Sequence, residues 1–408
     1  MSNAEIPIEI RMRIVREKHA LLPTILKETA IDCWLVFVRE TSVNPDPVMD
    51  LVVGNDVVWI SAFVFYTKGD TLSKTAIVGN FDAPHERQKG IWDKVIPYKE
   101  GISGPLTELI AAISPKKIAL NYAVDEISAD GLSHGLYLKL SEILAERTDC
   151  FTSAEPIIRA IQGRKTPTEL NLITRACEIT EEINRQVSSQ LRAGMSEIDI
   201  QQLFRQGMQK FGVKEAWQKE SCPAIDAGPD KEFGHIGPVA DSYTKDGQAL
   251  HNDFGVKYQG YCSDIQRMWF FGPEAEIPEE LLHAFETVRQ AIVKAADTIK
   301  PGVTGYAIDQ IAREFVKSRG YEEYAHALGH QVGRHAHDGG LILGPLWERY
   351  GDVPKGMVEE GNVFTLELNV KTERYGTVSL EENVVITKDG CRFLVPPQKK
   401  MITVTEFH

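Results

Sequence analysis

Up to about residue 155, strand-type and helix-type runs alternate; beyond the break at Thr166-Pro167 they segregate. That change of pattern limits the chain to two units of different class. In the first part, CWLVFVRE (33–40), VVWISAFVFYT (57–67), KTAIVGNFD (74–82) and KKIALNY (116–122) are rich in β-branched and aromatic residues and read as strands. Helical patterns over 8–29, 102–113 and SADGLSHGLYLKLSEILAE lie between them, the last starting near a Ser/Asp cap. The KGDT turn joins two of the strands, and the alternation predicts an α/β unit. Thr168 is placed to cap a long helix after the proline. The boundary is set within 155–166, giving units 1–160 and 161–408, as the length of 408 residues suggests. In the second unit helices are predicted over 168–190, 196–211, 278–299 and 304–319. Strands are predicted in QALHNDFGVKYQGYCSDIQRMWFF, NVFTLELNVKTERYG, TVSLEENVVITKDG and CRFLV, an α+β pattern.

The strands carry acids where apolar residues would be expected. Asp253 and Asp264 stand 11 residues apart, and a tight turn around Tyr258–Gly260 would bring them side by side. Like carboxylates held that close need protons or cations between them. Glu367 and Glu381 lie inside apolar strand-type runs, where a carboxylate is costly unless paired or bound to a metal. Glu373 and Glu382 are assigned to solvent-facing positions. Four of the 11 histidines fall in HALGHQVGRHAHDGG: His326, His330, His335 and His337. Each segment alone admits a plainer reading, as surface aspartates, outward glutamates or a loop that takes up metal adventitiously. Together, four carboxylates and an imidazole make a hard-leaning donor set that suits Mn(II), Co(II), Fe(II) or Zn(II) and suits copper poorly.

In order and spacing, these segments resemble the pita-bread metallopeptidases: methionine aminopeptidase, aminopeptidase P and prolidase. DFGVKYQGYCSD matches the family's Asp-x-Gly followed by Gly-Tyr-x-Ser-Asp, GHQVG its Gly-His segment, VFTLE its Phe-Thr-x-Glu strand, and SLEEN its final Glu. The resemblance implies two divalent ions per subunit, manganese first, with cobalt, zinc or iron compatible. Asp253 would chelate the first ion, Asp264 and Glu381 would bridge both, and His330 and Glu367 would complete the second. Glu367 would also act as general base toward a bridging water. His326 and His337, four before and seven after His330, are spaced as in aminopeptidase P and prolidase. His235, in PAIDAGPDKEFGHIGP, matches a substrate-side histidine, and His335 has no counterpart. These outer histidines would bind the scissile carbonyl, the leaving nitrogen or the substrate terminus. The first unit is similar to the creatinase-type N-terminal domain. The expected architecture is an α/β creatinase-type domain followed by an α+β pita-bread domain, assembled as a homodimer.

The implied reaction is hydrolysis of proline-containing peptides, by an Xaa-Pro dipeptidase or an Xaa-Pro aminopeptidase. Alternatives are a metal-dependent hydrolase or lyase acting on a small non-peptide substrate, or a silent binding protein of the same fold. The departures lie outside the donor set: Ser379 stands where Arg is usual, Leu368 for Pro, Lys371 for Tyr and Gln266 for Thr. Arg has a fixed cationic fork that Ser lacks, so Lys371, Arg374 and Arg334 become candidates for the missing charge. The formal net charge of −13 argues against a nucleic-acid partner. No apolar run approaches a membrane span, and the N-terminus lacks a signal-peptide core. Six scattered cysteines suit reduced thiols, and the expected location is the cytoplasm.

Overall fold

The computed structural model describes residues 3–229, 234 and 236–405. Pro7–Thr166 form one compact unit, and the chain from Pro167 onward forms the other, joined by the N-terminal residues through Ile6.

The first unit is built on a six-stranded mixed sheet. Its strands are β1 (Cys33–Val38), β2 (Ser61–Lys68), β3 (Thr71–Gly79), β4 (Lys94–Tyr98), β5 (Ile118–Leu120) and β6 (Phe151–Ser153), in the order β4-β3-β2-β1-β5-β6. The central β1, CWLVFV, is buried at every position, so its unbroken apolar run reflects covering on both faces. Leu35, Phe37, Val64 and Leu120 pack with Leu106 and Ile110 of the helix Ser103–Ile113 and with Leu136 and Leu140 of the helix His134–Ile143. That second helix is shorter than expected. Ser133, not the earlier Ser128 or Asp130, caps it by accepting from the Leu136 N–H, and residues Ile127–Ala129 form a separate 3-10 turn.

In the second unit come the short strands β7 (Lys214–Glu215), β10 (Val256–Tyr258) and β11 (Tyr261–Cys262), which make a three-stranded sheet. The main sheet contains β8 (Ala224–Ala227), β9 (Ala249–Phe254), β12 (Ile265–Phe271), β13 (Val363–Lys371) and β14 (Thr377–Ile386), in the order β13-β14-β12-β9-β8. β15 (Cys391–Phe393) pairs with β14, and β16 (Ile402–Val404) runs parallel to β12. Alternation divides the sheet's side chains between two faces. On one face Leu250, Phe254, Trp269 and Phe271 pack with residues of the helices Pro167–Ser188 and Glu197–Phe211. Leu366, Leu368, Leu380 and Val384 pack with the helices Glu279–Thr298 and Gly305–Ser318. Helices on one side of an antiparallel sheet are the α+β arrangement expected. The long helix starts at Pro167, so Thr168 lies inside its first turn and does not cap it. Among the described residues, no helix is long and apolar enough to cross a membrane.

Candidate metal centre

Register brings the acids together on the other sheet face. Directly opposed residues of antiparallel strands share a face. Asp253 of β9 stands opposite Gln266 of β12, Gln266 opposite Glu381 of β14, and Glu381 opposite Glu367 of β13. Asp264, just before β12, lies one pleat from Gln266. Its backbone N–H donates to Asn383 Oδ1 (3.1 Å), and its carbonyl accepts from Asn383 Nδ2 (2.7 Å).

Two glycines make this approach possible. A Cβ on Gly255 would sit 2.1 Å from the Ser263 carbonyl oxygen, so the Asp-x-Gly segment tolerates no side chain there. The turn joining β10 to β11 is the two-residue loop Gln259-Gly260, with φ of 45° and 81°, the left-handed pair such a hairpin needs. Gly329 serves the histidine loop likewise: a Cβ there would lie 2.0 Å from the Thr365 carbonyl oxygen. The loop therefore lies flat on β13. The Glu367 N–H donates to Leu328 O (2.7 Å), the Thr365 N–H to His330 O (2.9 Å), and the His330 N–H to Thr365 Oγ1 (3.1 Å).

All five expected ligand positions converge. One donor atom each from Asp253, Asp264 and Glu381 lies within 4.8 Å of the others; the same holds for His330, Glu367 and Glu381, and for Asp264, His330 and His337. His330 Nε2 is 3.5 Å from Glu367, 3.9 Å from Asp264 and 4.0 Å from Glu381. The His337 ring, although exposed, has its centroid 4.0 Å from that of His330. His326 is turned into the protein. Its Nδ1–H donates to Ala327 O (2.7 Å), which leaves Nε2 to accept from Asn369 Nδ2 (2.7 Å). His335 is an exposed loop residue, and His235 lies outside the described residues.

The electrostatics of the cluster call for cations. Burial, then the nearness of Asp253 and Glu367, pushes the Asp264 carboxyl well above its usual range. Burial, then Asp264 and Glu367, does the same to Glu381. Burial with Asp253 nearby lifts Glu367 to about 8. Burial, reinforced by His337, lowers His330 to about 3, leaving a neutral imidazole suited to ligation. Divalent ions would reverse the carboxylate shifts, because ligation requires the ionised form. The donor set therefore fits such ions.

A stability prediction follows from these shifts. A carboxyl raised in the folded state holds more protons than in the unfolded state, so stability falls as pH climbs toward its folded value. The lowered His330 acts oppositely, but only below its unfolded value of about 6.5. Between about 6.5 and 8 the carboxylates dominate, Glu367 among them. The melting temperature of chelator-treated protein is expected to fall across that interval, and Mn(II) is expected to raise it more at pH 8 than at pH 6.5. A metal-free melting temperature that is flat or rising there contradicts this account.

Some residues fall elsewhere than expected. Glu382 is not a surface acid: it is 2% exposed and gripped by Arg267 at 3.0 Å on both oxygens. Arg374 is engaged with Glu280 at 3.0 Å on the surface, and Lys371 is exposed at the end of β13. The guanidinium of Arg334 lies 5.9 Å from the Tyr261 ring centroid. Ser379 is buried, and its hydroxyl donates to Gln266 Oε1 (2.5 Å). Missed altogether was the buried chain of hydrogen bonds from Asp226 through His251 to Gln266. Strand alternation offered a signal, since His251 stands two residues before Asp253 and so on the same face.

A cluster of buried acids and imidazole on the open face of an α+β sheet defines a class: hydrolases that work with divalent metal. Residues 171–388, more than half of the 408, match the model of metallopeptidase family M24, and the chain belongs to that family. It is therefore a peptidase with divalent metal cofactors, and the expected pita-bread fold is borne out. The chain is 28% identical over 283 residues to the Xaa-Pro dipeptidase of Pyrococcus horikoshii, covering 69% of this chain and 76% of that one. It superposes on the crystal structure of X-Pro aminopeptidase from Thermotoga maritima MSB8 with a TM-score of 0.68 and 25% identity, covering 92% and 98% of the two chains. The Xaa-Pro dipeptidase from Bacillus anthracis shares the fold, with a TM-score of 0.69, 20% identity and 97% and 100% coverage.

Proposed function

We propose that this chain is an exopeptidase that hydrolyses the bond between a residue and a following proline, with two divalent cations, manganese first, held by Asp253, Asp264, His330, Glu367 and Glu381. The observation that carries this reading is the convergence of donor atoms from these five residues on one sheet face. The names of the similar proteins supply the substrate class. When bound, such cations acidify water and polarise a carbonyl.

The chain's own residues supply positioning and proton transfer. Asp264 and Glu381, the most enclosed carboxylates of the cluster, would help hold both cations. Glu367, with its side chain 20% exposed, would take a proton from the attacking water and pass it to the leaving proline nitrogen. His337, exposed beside His330, faces incoming peptide. His326 works as the neutral imidazole, its Nε2 lone pair available to a substrate N–H that displaces Asn369. His235 is assigned to the substrate side from its sequence context. Free thiols at all six cysteines agree with a cytoplasmic setting, and we take the working form to be a homodimer.

The test is a panel of Xaa-Pro dipeptides and longer Xaa-Pro-Yaa peptides offered to apoprotein loaded with Mn(II), Co(II) or Zn(II). Turnover confined to dipeptides marks a dipeptidase, and release of the first residue from longer peptides marks an aminopeptidase. No turnover of any peptide, with metal bound, sinks the reading. Asp264→Asn removes one charge from the crowded acids. The metal-free variant is expected to melt higher than wild type, while its Mn(II) affinity drops at least roughly 10- to 100-fold, the cost of losing even an outer-shell partner. An unchanged affinity in calorimetry contradicts the assignment of Asp264.

A further inference from the structure

The row of polar residues on the metal face does not stop at the ligands. It continues from Glu367 and Glu381 through Gln266 to His251 and Asp226, across all five strands β13-β14-β12-β9-β8. Asp226 stands directly opposite His251 in the register of β8 with β9. His251, Gln266 and Ser379 are 3%, 5% and 2% exposed, so the middle of the row is buried.

The hydrogen bonds fix the direction of the Gln266 amide. Its Oε1 lies 3.0 Å from His251 Nε2 and accepts from Ser379 Oγ at 2.5 Å. Its Nε2 donates to Glu381 Oε2 (3.1 Å) and reaches Glu367 Oε2 at 3.4 Å. With both carboxylates ionised, as ligation requires, an amide turned end for end would set its oxygen against them, with no donor between three acceptors. The orientation therefore requires a donor at His251 Nε2. His251 is held in turn by Asp226, whose Oδ2 is 2.9 Å from Nδ1. The ring is thus held between an oxygen on each side, and Ser379 supplies the second anchor for the Gln266 amide.

We propose that His251 is a positioning residue for the metal centre: acting through the Gln266 amide, it holds Glu381 and Glu367 oriented to receive the cations. This rests on the metal-centre reading given above. A carboxylate already fixed by its neighbours binds an ion without first losing rotational freedom, which is why outer-shell partners tune affinity. Gln266 and Ser379 are two of the positions at which this chain departs from the family pattern.

The test is calorimetric titration of Mn(II) into apoprotein, a readout that needs no peptide, followed by peptide kinetics on the loaded protein. His251→Leu and Gln266→Leu are each expected to weaken Mn(II) binding by about 10- to 100-fold. The double variant should show no more loss than the worse single one, because both break one chain of contacts. His251→Gln, whose amide can donate to Gln266 Oε1, is expected to stay within about threefold of wild type. On loaded protein, kcat should fall in the two leucine variants with KM little changed. If His251→Leu does not fold, Ser379→Ala and Gln266→Leu carry the test, with weakening expected in both. Wild-type affinity in the leucine variants, or losses that add in full, overturns the proposal alone. A wild-type chain that takes up no Mn(II) overturns the metal reading and the proposal together.

Discussion

Glu367→Gln is expected to lower kcat on an Xaa-Pro dipeptide by on the order of 10²–10⁴-fold, the range set by loss of a general base. The change is nearly isosteric, so the fold is expected to survive it. Glu367 is bedded in β13 opposite Glu381, and its backbone N–H is anchored by Leu328 O at 2.7 Å, neither of which depends on the carboxylate. On the proposed assignment the variant also loses a charged ligand, so metal content must be measured alongside the rate. Saturating Mn(II) should restore occupancy more than it restores kcat. A kcat within about threefold of wild type at full occupancy would contradict the role of Glu367 as base.

The largest stability effect is expected at Arg267, on the opposite face of β12. Its guanidinium is 2% exposed and donates to both Glu382 oxygens at 3.0 Å, with Glu181 Oε1 at 2.8 Å. It also donates to the carbonyls of Gln266 (2.8 Å) and Glu381 (3.2 Å), the residues whose side chains meet on the metal face. Burial still lifts the Glu382 carboxyl to about 7 against the pull of Arg267, so the pair itself adds little net stability. Removing one partner is another matter, because it strands the other. Arg267→Leu is expected to cost about 3–5 kcal/mol in urea denaturation. Arg267→Leu with Glu382→Leu should cost less than Arg267→Leu alone. A single variant as stable as wild type, or a double variant less stable than the single, contradicts this picture. Metal affinity should fall in the single variant too, since Arg267 ties together the two strands that present Gln266 and Glu381.

Much of this was legible because the metal face is written locally. The 11-residue spacing of Asp253 and Asp264 encodes a hairpin, and Glu367 and Glu381 stand out against apolar strand neighbours. Those patterns need only strand alternation and turn chemistry to be read. The acid beside Glu381 shows where local reading fails. Glu382 follows the same alternation and is assigned to solvent, yet the face opposite the acid cluster is covered by helices, and Arg267 meets it there. Whether a second face is wet or covered depends on tertiary packing. The Asp226–His251–Gln266 chain was hidden for a related reason, since its members come from three strands and only the sheet order makes them neighbours. Cap positions were misjudged where two candidates lay close together, as with Ser128 and Ser133.

The most direct test of the central claim is anomalous diffraction at the manganese edge from crystals of the Mn(II)-loaded protein. The account predicts two peaks about 3.5–4 Å apart on the open face of the sheet. Asp253, Asp264, Glu367, Glu381 and His330 Nε2 should be the protein ligands, with Gln266 still donating to Glu381. A well-ordered cluster without anomalous density, or manganese held by other residues, would contradict it.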